Sequence, residues 1–148
     1  MKIIPLNEEW IPKVAELERN TFSQPWSEQS LRDVFKNPLF SVHLAVEGDV
    51  LLGYGGAYYA GDEANVTNIA VAKESRGKGI GTALVKAILK EAEERGAAQA
   101  FLEVRVGNAP AIHVYEKCGF TLQGVRRNYY SEPSEDGYVY AIRIGEQE

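Results

Sequence analysis

The chain has 148 residues, of which 45% are hydrophobic and 25% charged, so it can bury one sizeable core, whereas two domains would both be small. The net charge of −5 argues against general binding to nucleic-acid backbones, and no apolar run approaches the length of a membrane span. The amino terminus lacks the apolar core of a signal peptide. We therefore expect a single cytosolic domain over residues 1–148 that binds neither nucleic acid nor membrane.

The N-terminal segment predicts an edge strand followed by two helices. Residues 3–6 form a short apolar run that contains proline, which removes one donor from a sheet ladder. A helical pattern follows, and a loop over residues 21–27 then ends at Ser27, a favoured residue for capping the next helix. Trp26 in this loop has two interpretations: it packs against the core, or it forms the wall of a substrate pocket.

Three strands are predicted next. Residues 40–47 and 50–60 are apolar runs joined at Gly48-Asp49, which is typical of a hairpin turn. Residues 64–72 form the next strand. Residues 40–72 should therefore make an antiparallel meander.

This third strand runs directly into a glycine-rich loop with the sequence Arg76-Gly77-Lys78-Gly79-Ile80-Gly81-Thr82. Glycine at alternate positions lets backbone N–H groups approach a ligand closely. Apolar residues at helical spacing begin at once, so the positive end of a helix dipole meets these N–H groups. The combination predicts a site for phosphate or pyrophosphate, with positive charge added by Arg76 and Lys78.

Two other phosphate-binding motifs fit this loop poorly. A Walker loop ends in Gly-Lys-Ser/Thr, but here Gly77-Lys78 is followed by Gly79-Ile80. A dinucleotide fingerprint needs a third glycine where Thr82 stands. A plain glycine-rich turn ahead of a surface helix is the remaining alternative on the loop alone.

The second half of the chain completes a sheet. Residues 98–105 form a strand after the long helix, and this strand, helix, strand order demands a parallel pair. A short helix follows, and residues 120–127 and 138–144 are predicted to close the sheet as an antiparallel pair around a polar loop, residues 128–137. The expected fold is a mixed α/β sheet flanked by helices, antiparallel first and parallel in the middle.

Two motifs resemble those of the GNAT acyltransferase family and occur in that family's order. The glycine loop resembles its R/Q-x-x-G-x-G/A motif, and residues 102–120 resemble its L-E-V-R-x-x-N-x-x-A-x-x-L-Y-x-x-x-G-F motif. With Asn68-Ile69-Ala70-Val71, the likeness spans residues 64–120, and more weakly the whole chain. The resemblance implies a GNAT-type fold and acetyl-CoA as co-substrate, its pyrophosphate held by backbone N–H groups of the loop.

Within the family the chain is most similar to the RimI-type ribosomal-protein-alanine N-acetyltransferases. Their motifs P-W-S, R-x-N-Y-Y and E-D-A are matched by Pro25-Trp26-Ser27, Arg127-Asn128-Tyr129-Tyr130 and Glu135-Asp136. Gly137 replaces the usual alanine and Val114 the usual leucine. This resemblance implies acetylation of a protein N-terminus, such as alanine in a small-subunit ribosomal protein.

The resemblance also implies roles for individual residues. Glu103 becomes the general base, and Tyr115 the acid that protonates the departing CoA thiolate. The alternatives are a surface carboxylate paired with Arg105 or a lysine, and a core aromatic with a hydrogen-bonded tip. Predicted contacts to acetyl-CoA are Ile69, Ala70, Val71, Arg76, Gly77, Lys78, Gly79, Ile80, Gly81, Thr82, Asn108 and Tyr115. Predicted contacts to the substrate are Trp26, Tyr129, Tyr130 and Glu135.

The single cysteine and the two histidines offer little other chemistry. Because Cys118 is the single cysteine, no intrachain disulfide can form. Its position before a glycine at the end of a helix is typical of a small buried thiol. His43, in an apolar strand, and His113, on a helix, are isolated from other metal-ligand residues. We expect no bound metal.

Protonation constrains the choice of amine. An α-amine, with a pKa near 8, is roughly 10% neutral at pH 7, whereas lysine is neutral in only a few parts in ten thousand. Activating an α-amine therefore demands about 3 kcal/mol less from the base. Two alternatives stay open: a GNAT enzyme that acetylates a small amine such as a polyamine, and a domain that binds acetyl-CoA without catalysis.

Overall fold

The computed structural model describes residues 1–144, which form one sheet with helices on both faces; residues 145–148 of the expected domain lie outside the described residues. The strands are β1 (Lys2–Pro5), β2 (Phe40–Glu47), β3 (Val50–Ala60), β4 (Glu63–Val71), β5 (Gln99–Arg105), β6 (Thr121–Tyr130) and β7 (Glu135–Arg143). The α-helices are α1 (Ile11–Thr21), α2 (Glu28–Lys36), α3 (Ile80–Glu94) and α4 (Ala109–Lys117). None of the helices in this part of the chain is long and apolar enough to cross a membrane.

The order of the strands in the sheet is β1-β2-β3-β4-β5-β7-β6. Strands β1 to β4 pair antiparallel in sequence order, which confirms the predicted meander. β4 and β5 pair parallel, as the strand, helix, strand order predicts, and β7 pairs antiparallel with both β5 and β6. The expected mixed α/β fold is confirmed.

Helices cover both faces because successive strand residues point to opposite sides of the sheet. Leu44 of β2 packs with Leu31 and Tyr54 in a core shared with α1 and α2. Its neighbour Ala45 packs with Ile80 and Leu84 of α3 on the other face. A further core joins α3 and α4 to β5 and β7. The N-terminal helices and the C-terminal helices thus lie on opposite sides of the sheet.

The last two strands are longer than predicted. β6 reaches Tyr130 and β7 begins at Glu135, so most of the segment 128–137 is strand and residues 131–134 form the turn. Asn128 has a φ of +52° where the ladder between these strands shifts register. β6 is an edge strand with most of its residues exposed, so the sequence lacks the alternation that marks a half-buried strand. The prediction of a polar loop was wrong for this reason.

Candidate active site

The parallel pair of strands separates soon after it forms. The ladder joins residues 63–65 of β4 to residues 99–101 of β5 and then stops, although β4 continues to Val71 and β5 to Arg105. Gly55 of β3 pairs with Ile69 and Ala57 pairs with Val66, so β4 carries one extra residue, a bulge, where the strands separate. We call the opening between residues 66–71 and 102–105 the wedge. The β4 edge of the wedge carries the predicted acetyl-CoA contacts Ile69, Ala70 and Val71.

The glycine loop lies between the end of β4 and the start of α3. Gly77 and Gly79 both have a φ of +79°, a conformation that favours glycine, and no heavy atom lies within 4 Å of a Cβ built on either. The first backbone hydrogen bond of α3 runs from the Ala83 N–H to the Gly79 carbonyl at 3.1 Å. The N–H groups of Ile80, Gly81 and Thr82 therefore precede the helical ladder. These N–H groups and the open space over the glycines suit an anion.

The third glycine of the loop faces the protein interior. A Cβ built on Gly81 would lie 3.7 Å from a methyl group of Val114 on α4 and 3.9 Å from one of Val71 on β4. The start of α3, the end of β4 and α4 therefore meet at this point. The Arg76 Nε donates to the Val71 carbonyl at 3.1 Å, while Lys78 is exposed. Of the two predicted loop cations, Arg76 is thus tied to the end of β4.

Glu103 lies on β5 at the other edge of the wedge. Its side chain is 30% exposed, and its Oε2 is 3.4 Å from Nε of Arg126, whose side chain is 54% exposed. The partner of Glu103 is therefore Arg126 and not Arg105, the arginine that the alternative interpretation of the sequence named. Ion pairs this exposed contribute about 0–1 kcal/mol. The carboxylate can exchange Arg126 for another cation at little cost.

Tyr115 on α4 is buried, 7% exposed, and its ring packs edge-on against Phe120 with centroids 5.9 Å apart. Burial is the main reason that the pKa of Tyr115 is raised, and Tyr130 and Cys118 add to the effect. Among residues 1–144, no side chain or backbone group makes a hydrogen bond with the Tyr115 hydroxyl. The residue is a core aromatic, as one alternative stated, but within residues 1–144 its hydroxyl lacks the hydrogen bond that this alternative included. The raised pKa keeps the hydroxyl protonated at neutral pH.

Tyr130 connects the two candidate catalytic residues electrostatically. Burial, Tyr129, Glu103 and Glu135 raise the pKa of Tyr130 to about 12, against the opposing effect of Arg105. Because Tyr130 also acts on the pKa of Tyr115, the hydroxyl of Tyr130 lies within electrostatic range of both Tyr115 and Glu103. Tyr115 also belongs to the same buried core as Leu102 and Val104, the two neighbours of Glu103 on β5.

Tyr129 and Tyr130 form an aromatic pair at the end of β6. Their rings are 5.0 Å apart and nearly perpendicular, and Tyr129 is 49% exposed. A Cβ on Gly137 of β7 would lie 3.1 Å from Cε2 of Tyr130 and 3.3 Å from Cδ2 of Tyr129. The two rings therefore lie directly over the backbone at Gly137. Gly137, which replaces the alanine of the family motif, has no Cβ and therefore allows this close approach.

Glu135, a predicted substrate contact, already has two protein partners. Its Oε2 accepts the Gly107 N–H at 2.8 Å, and its Oε1 accepts from Arg105 at 3.1 Å. Arg105 also donates to the carbonyls of Ser131 and Pro133. The carboxylate joins the β6–β7 turn to the segment between β5 and α4. A role for Glu135 in substrate binding stays a prediction.

The two remaining predicted contacts lie at helix starts. The Asn108 side chain accepts the Ala111 N–H at 3.2 Å, so this residue caps α4 and its cofactor role stays a prediction. Trp26 is partly buried in the loop before α2, packed against the core shared by α1 and α2. The structure therefore shows the packing role of Trp26, and its role as a pocket wall stays a prediction.

Sequence reasoning missed Glu18 of α1, which is fully buried. It accepts hydrogen bonds from the Trp26 N–H and from the Asn68 side chain, both at 2.7 Å. Burial raises the pKa of Glu18, and these two hydrogen bonds oppose that rise. A signal for it exists: Glu18 continues the helical spacing of the buried apolar residues Val14 and Ile11, where an acid is out of place.

The other titratable candidates contribute to structure. Burial is the largest cause of the raised pKa of Cys118, which makes its thiolate less accessible. His43 has its Nε2 3.0 Å from Oε1 of Glu91 and is largely buried. Within residues 1–144, no group of three or more His, Cys, Asp and Glu residues could hold a metal ion.

Comparisons with known proteins show which family this chain resembles. A model of the acetyltransferase (GNAT) family matches residues 11–120. The ribosomal protein bS18-alanine N-acetyltransferase of Escherichia coli (strain K12) is 35% identical over 136 residues, which make up 90% of this chain and 91% of that protein. A protein of Bacillus subtilis (strain 168) that is named provisionally for the same activity is 36% identical over 138 residues. These residues make up 92% of this chain and 91% of that protein.

The fold comparison gives the same result. The crystal structure of the ribosomal-protein-S18-alanine N-acetyltransferase from Escherichia coli matches with a TM-score of 0.88 and 30% identity, covering 99% of this chain and 96% of that one. The implied GNAT-type fold and the resemblance to ribosomal-protein-alanine N-acetyltransferases are thereby confirmed. The family model spans well over half of the sequence, and relatives above 30% identity span nearly all of it. This chain belongs to the acetyltransferase (GNAT) family.

Proposed function

We propose that this chain transfers the acetyl group of acetyl-CoA to the N-terminal α-amine of a protein, with the alanine of ribosomal protein bS18 as its substrate. The observation that carries the proposal is the 35% identity, over 90% of the chain, to the Escherichia coli enzyme named for that reaction. A ribosomal-protein substrate would place the reaction in the cytoplasm. No observation favours a small amine as the acceptor.

The wedge and the glycine loop together fit acetyl-CoA. Backbone N–H groups from Gly77 to Thr82 would hold the pyrophosphate at the positive end of the α3 dipole. Residues 69–71 offer main-chain donors and acceptors beyond the last ladder pair, where the amides of the pantetheine arm can bind as an added strand would. The thioester at the end of that arm would then lie near the hydroxyl of Tyr115.

Glu103 would act as the general base. The incoming amine arrives as an ammonium ion, and the carboxylate takes its proton directly or through water. The ammonium can replace Arg126, because the present ion pair is long and half exposed. Exchange of one cation for another would keep the carboxylate paired until the proton moves.

Tyr115 would supply the proton for the leaving group. The neutral amine attacks the thioester carbon, the C–N bond forms, the C–S bond breaks, and the sulfur departs with the electron pair. The Tyr115 O–H can donate to this sulfur as its charge grows, since the hydroxyl has no other acceptor in residues 1–144 and stays protonated at neutral pH. The nitrogen loses a second proton once the C–N bond has formed, and this proton would pass through water to the Tyr115 oxygen and restore the hydroxyl. Glu103 would release the first proton to solvent, so the products are the amide, the CoA thiol and one proton.

A substrate panel tests the proposal. The protein is incubated with acetyl-CoA and, in separate reactions, a peptide that starts with alanine, the same peptide with a blocked N-terminus and an internal lysine, and a free polyamine. Mass spectrometry then gives the acetylated fraction of each. We expect the free alanine peptide to be acetylated fastest. A preference for the polyamine or for the blocked lysine peptide would refute the proposed substrate class.

A further inference from the structure

One buried carboxylate accepts hydrogen bonds from a predicted substrate contact and from the residue that precedes the predicted acetyl-CoA contacts on β4. Glu18 is fully buried, and each of its oxygens accepts one hydrogen bond at 2.7 Å. One donor is the N–H of Trp26, eight residues along the chain, and the other is the side chain of Asn68, fifty residues along. The carboxylate therefore binds segments that are distant in sequence, and neither contact is a helix cap.

The two donors belong to segments for which different contacts are predicted. Trp26 belongs to the loop between α1 and α2, the segment predicted to form a wall for the substrate. Asn68 lies in the bulge of β4, directly before residues 69–71, which form the β4 edge of the wedge. A displacement of Glu18 would change the distance between the substrate wall and the edge that holds the acyl arm.

Stability alone does not account for a carboxylate at this position. Desolvation penalises a buried charge, and burial raises the pKa of Glu18 even though two hydrogen bonds oppose the rise. Replacement of buried charged groups by well-packed apolar ones is often neutral or stabilising. Leucine would continue the apolar stripe of Ile11 and Val14 on α1. The acid therefore has a role that an apolar side chain cannot fill, namely acceptance of two directed hydrogen bonds.

We propose that Glu18 is a positioning residue for acetyl transfer, which fixes the loop of Trp26 against the β4 bulge at Asn68 and so sets the gap between the amine and the thioester. This inference rests on the proposed function for the identity of the two segments. Glu18 does not touch the reacting atoms. Its effect reaches the reaction through the geometry of the loop and the bulge.

Two variants break the connection in different ways. Glu18→Leu removes both acceptors and keeps the apolar pattern, whereas Asn68→Asp replaces the donor by a second carboxylate that faces the Glu18 carboxylate. Misplacement of reacting groups by about 1 Å can cost up to roughly 100-fold in rate. We expect both variants to lower kcat/KM for the amine substrate by about 10- to 100-fold, mainly through kcat. The Kd for CoA, measured by calorimetry, should change less than about twofold, because the glycine loop is untouched.

A paired substitution restores the connection. In Glu18→Gln with Asn68→Asp, the glutamine oxygen can accept from Trp26 and its NH2 group can donate to the new carboxylate. We expect kcat/KM to recover at least about tenfold from that of Asn68→Asp, an outcome that general loss of packing would not produce. The matched control is Glu28→Gln on α2, where an exposed glutamate pairs with Arg32 and activity should stay at the wild-type value.

The outcomes are decisive in each case. Wild-type kcat/KM in folded Asn68→Asp, or no recovery in the paired variant, would overturn the inference. If Glu18→Leu does not fold, the comparison of Asn68→Asp with the paired variant decides. All variants are assayed with the amine that the wild-type protein acetylates fastest in the substrate panel. An error in the proposed substrate class is then detected with the wild-type protein alone. An error in the proposed role of Glu18 is detected only in the variants.

Discussion

Substitution of Gly79 by alanine tests whether the glycine loop holds the pyrophosphate. Gly79 has a φ of +79°, where an L-residue costs about 1–2 kcal/mol, and alanine offsets about 0.4–1 kcal/mol of this by restricting the unfolded chain. No heavy atom lies within 4 Å of the new Cβ, so no steric cost is added in the free protein. The free energy of unfolding should fall by about 1 kcal/mol, which lowers Tm by roughly 2–4 °C in a chain of this size.

The effect on the ligand should be larger. The new methyl group enters the space over the loop and separates the pyrophosphate from the backbone N–H groups. Loss of one hydrogen bond to a charged group costs about 1.5–3 kcal/mol, or roughly 10- to 150-fold in Kd. Calorimetry with CoA measures the Kd, and urea unfolding measures the stability of the same preparation.

Gly61→Ala is the matched control. Gly61 lies in the turn between β3 and β4, has a φ of +60°, and also has no heavy atom within 4 Å of a Cβ. It should lose similar stability and keep the wild-type Kd. Equal Kd values in the Gly79 and Gly61 variants would refute the role of the loop.

Gly81→Ala adds a second comparison. Its Cβ would make ordinary contacts with Val114 and Val71, so the variant should keep the wild-type Kd for CoA and gain about 0.5–1 kcal/mol of stability.

Three further outcomes are expected. Glu103→Gln should lower kcat at least about 100-fold in a thiol-release assay and leave the Kd for CoA unchanged, and a loss below about threefold would contradict a general base. Tyr115→Phe should lower kcat by a similar factor with little change in urea midpoint, because no protein hydrogen bond is lost; full activity would exclude the proton donor. Burial lowers the pKa of His43 below 6.5, although Glu91 opposes this, so the unfolded chain binds a proton first on acidification. Stability should therefore fall as the pH decreases from 6.5 towards the folded pKa, and His43→Phe should remove this loss in urea titrations.

Features that depend on neighbouring residues were predictable from the sequence. The Ser27 side chain accepts the Ser30 N–H at 3.1 Å and Asn108 caps α4, as their residue types indicate. The hairpin turn at Gly48 and the helix start at Ile80 also follow the local pattern. Each of these depends on a residue's own conformational preference, which the sequence displays directly.

Strands at the exposed edge and side-chain contacts between distant segments were not predictable, although the meander and the parallel pair were. The strands around Tyr130 and Glu135 form by backbone pairing at a solvent-exposed edge, which needs no apolar alternation. The hydrogen bond from Asn68 to Glu18 crosses fifty residues, and the link from Gly107 to Glu135 crosses twenty-eight. Sequence motifs named the candidate residues of the site, but the partners that hold them come from the tertiary fold.

The early end of the β4–β5 ladder has a thermodynamic consequence. Only residues 63–65 of β4 pair with β5, so main-chain groups in the middle of the sheet depend on solvent or on a bound molecule for their hydrogen bonds. A co-substrate that fills this gap binds the native state alone and contributes RT ln(1 + [L]/Kd), about 2.7 kcal/mol at a hundredfold excess over Kd. The free energy of unfolding of this protein should therefore increase with the concentration of acetyl-CoA. The concentration of the co-substrate would then affect the stability of the protein as well as the rate of its reaction.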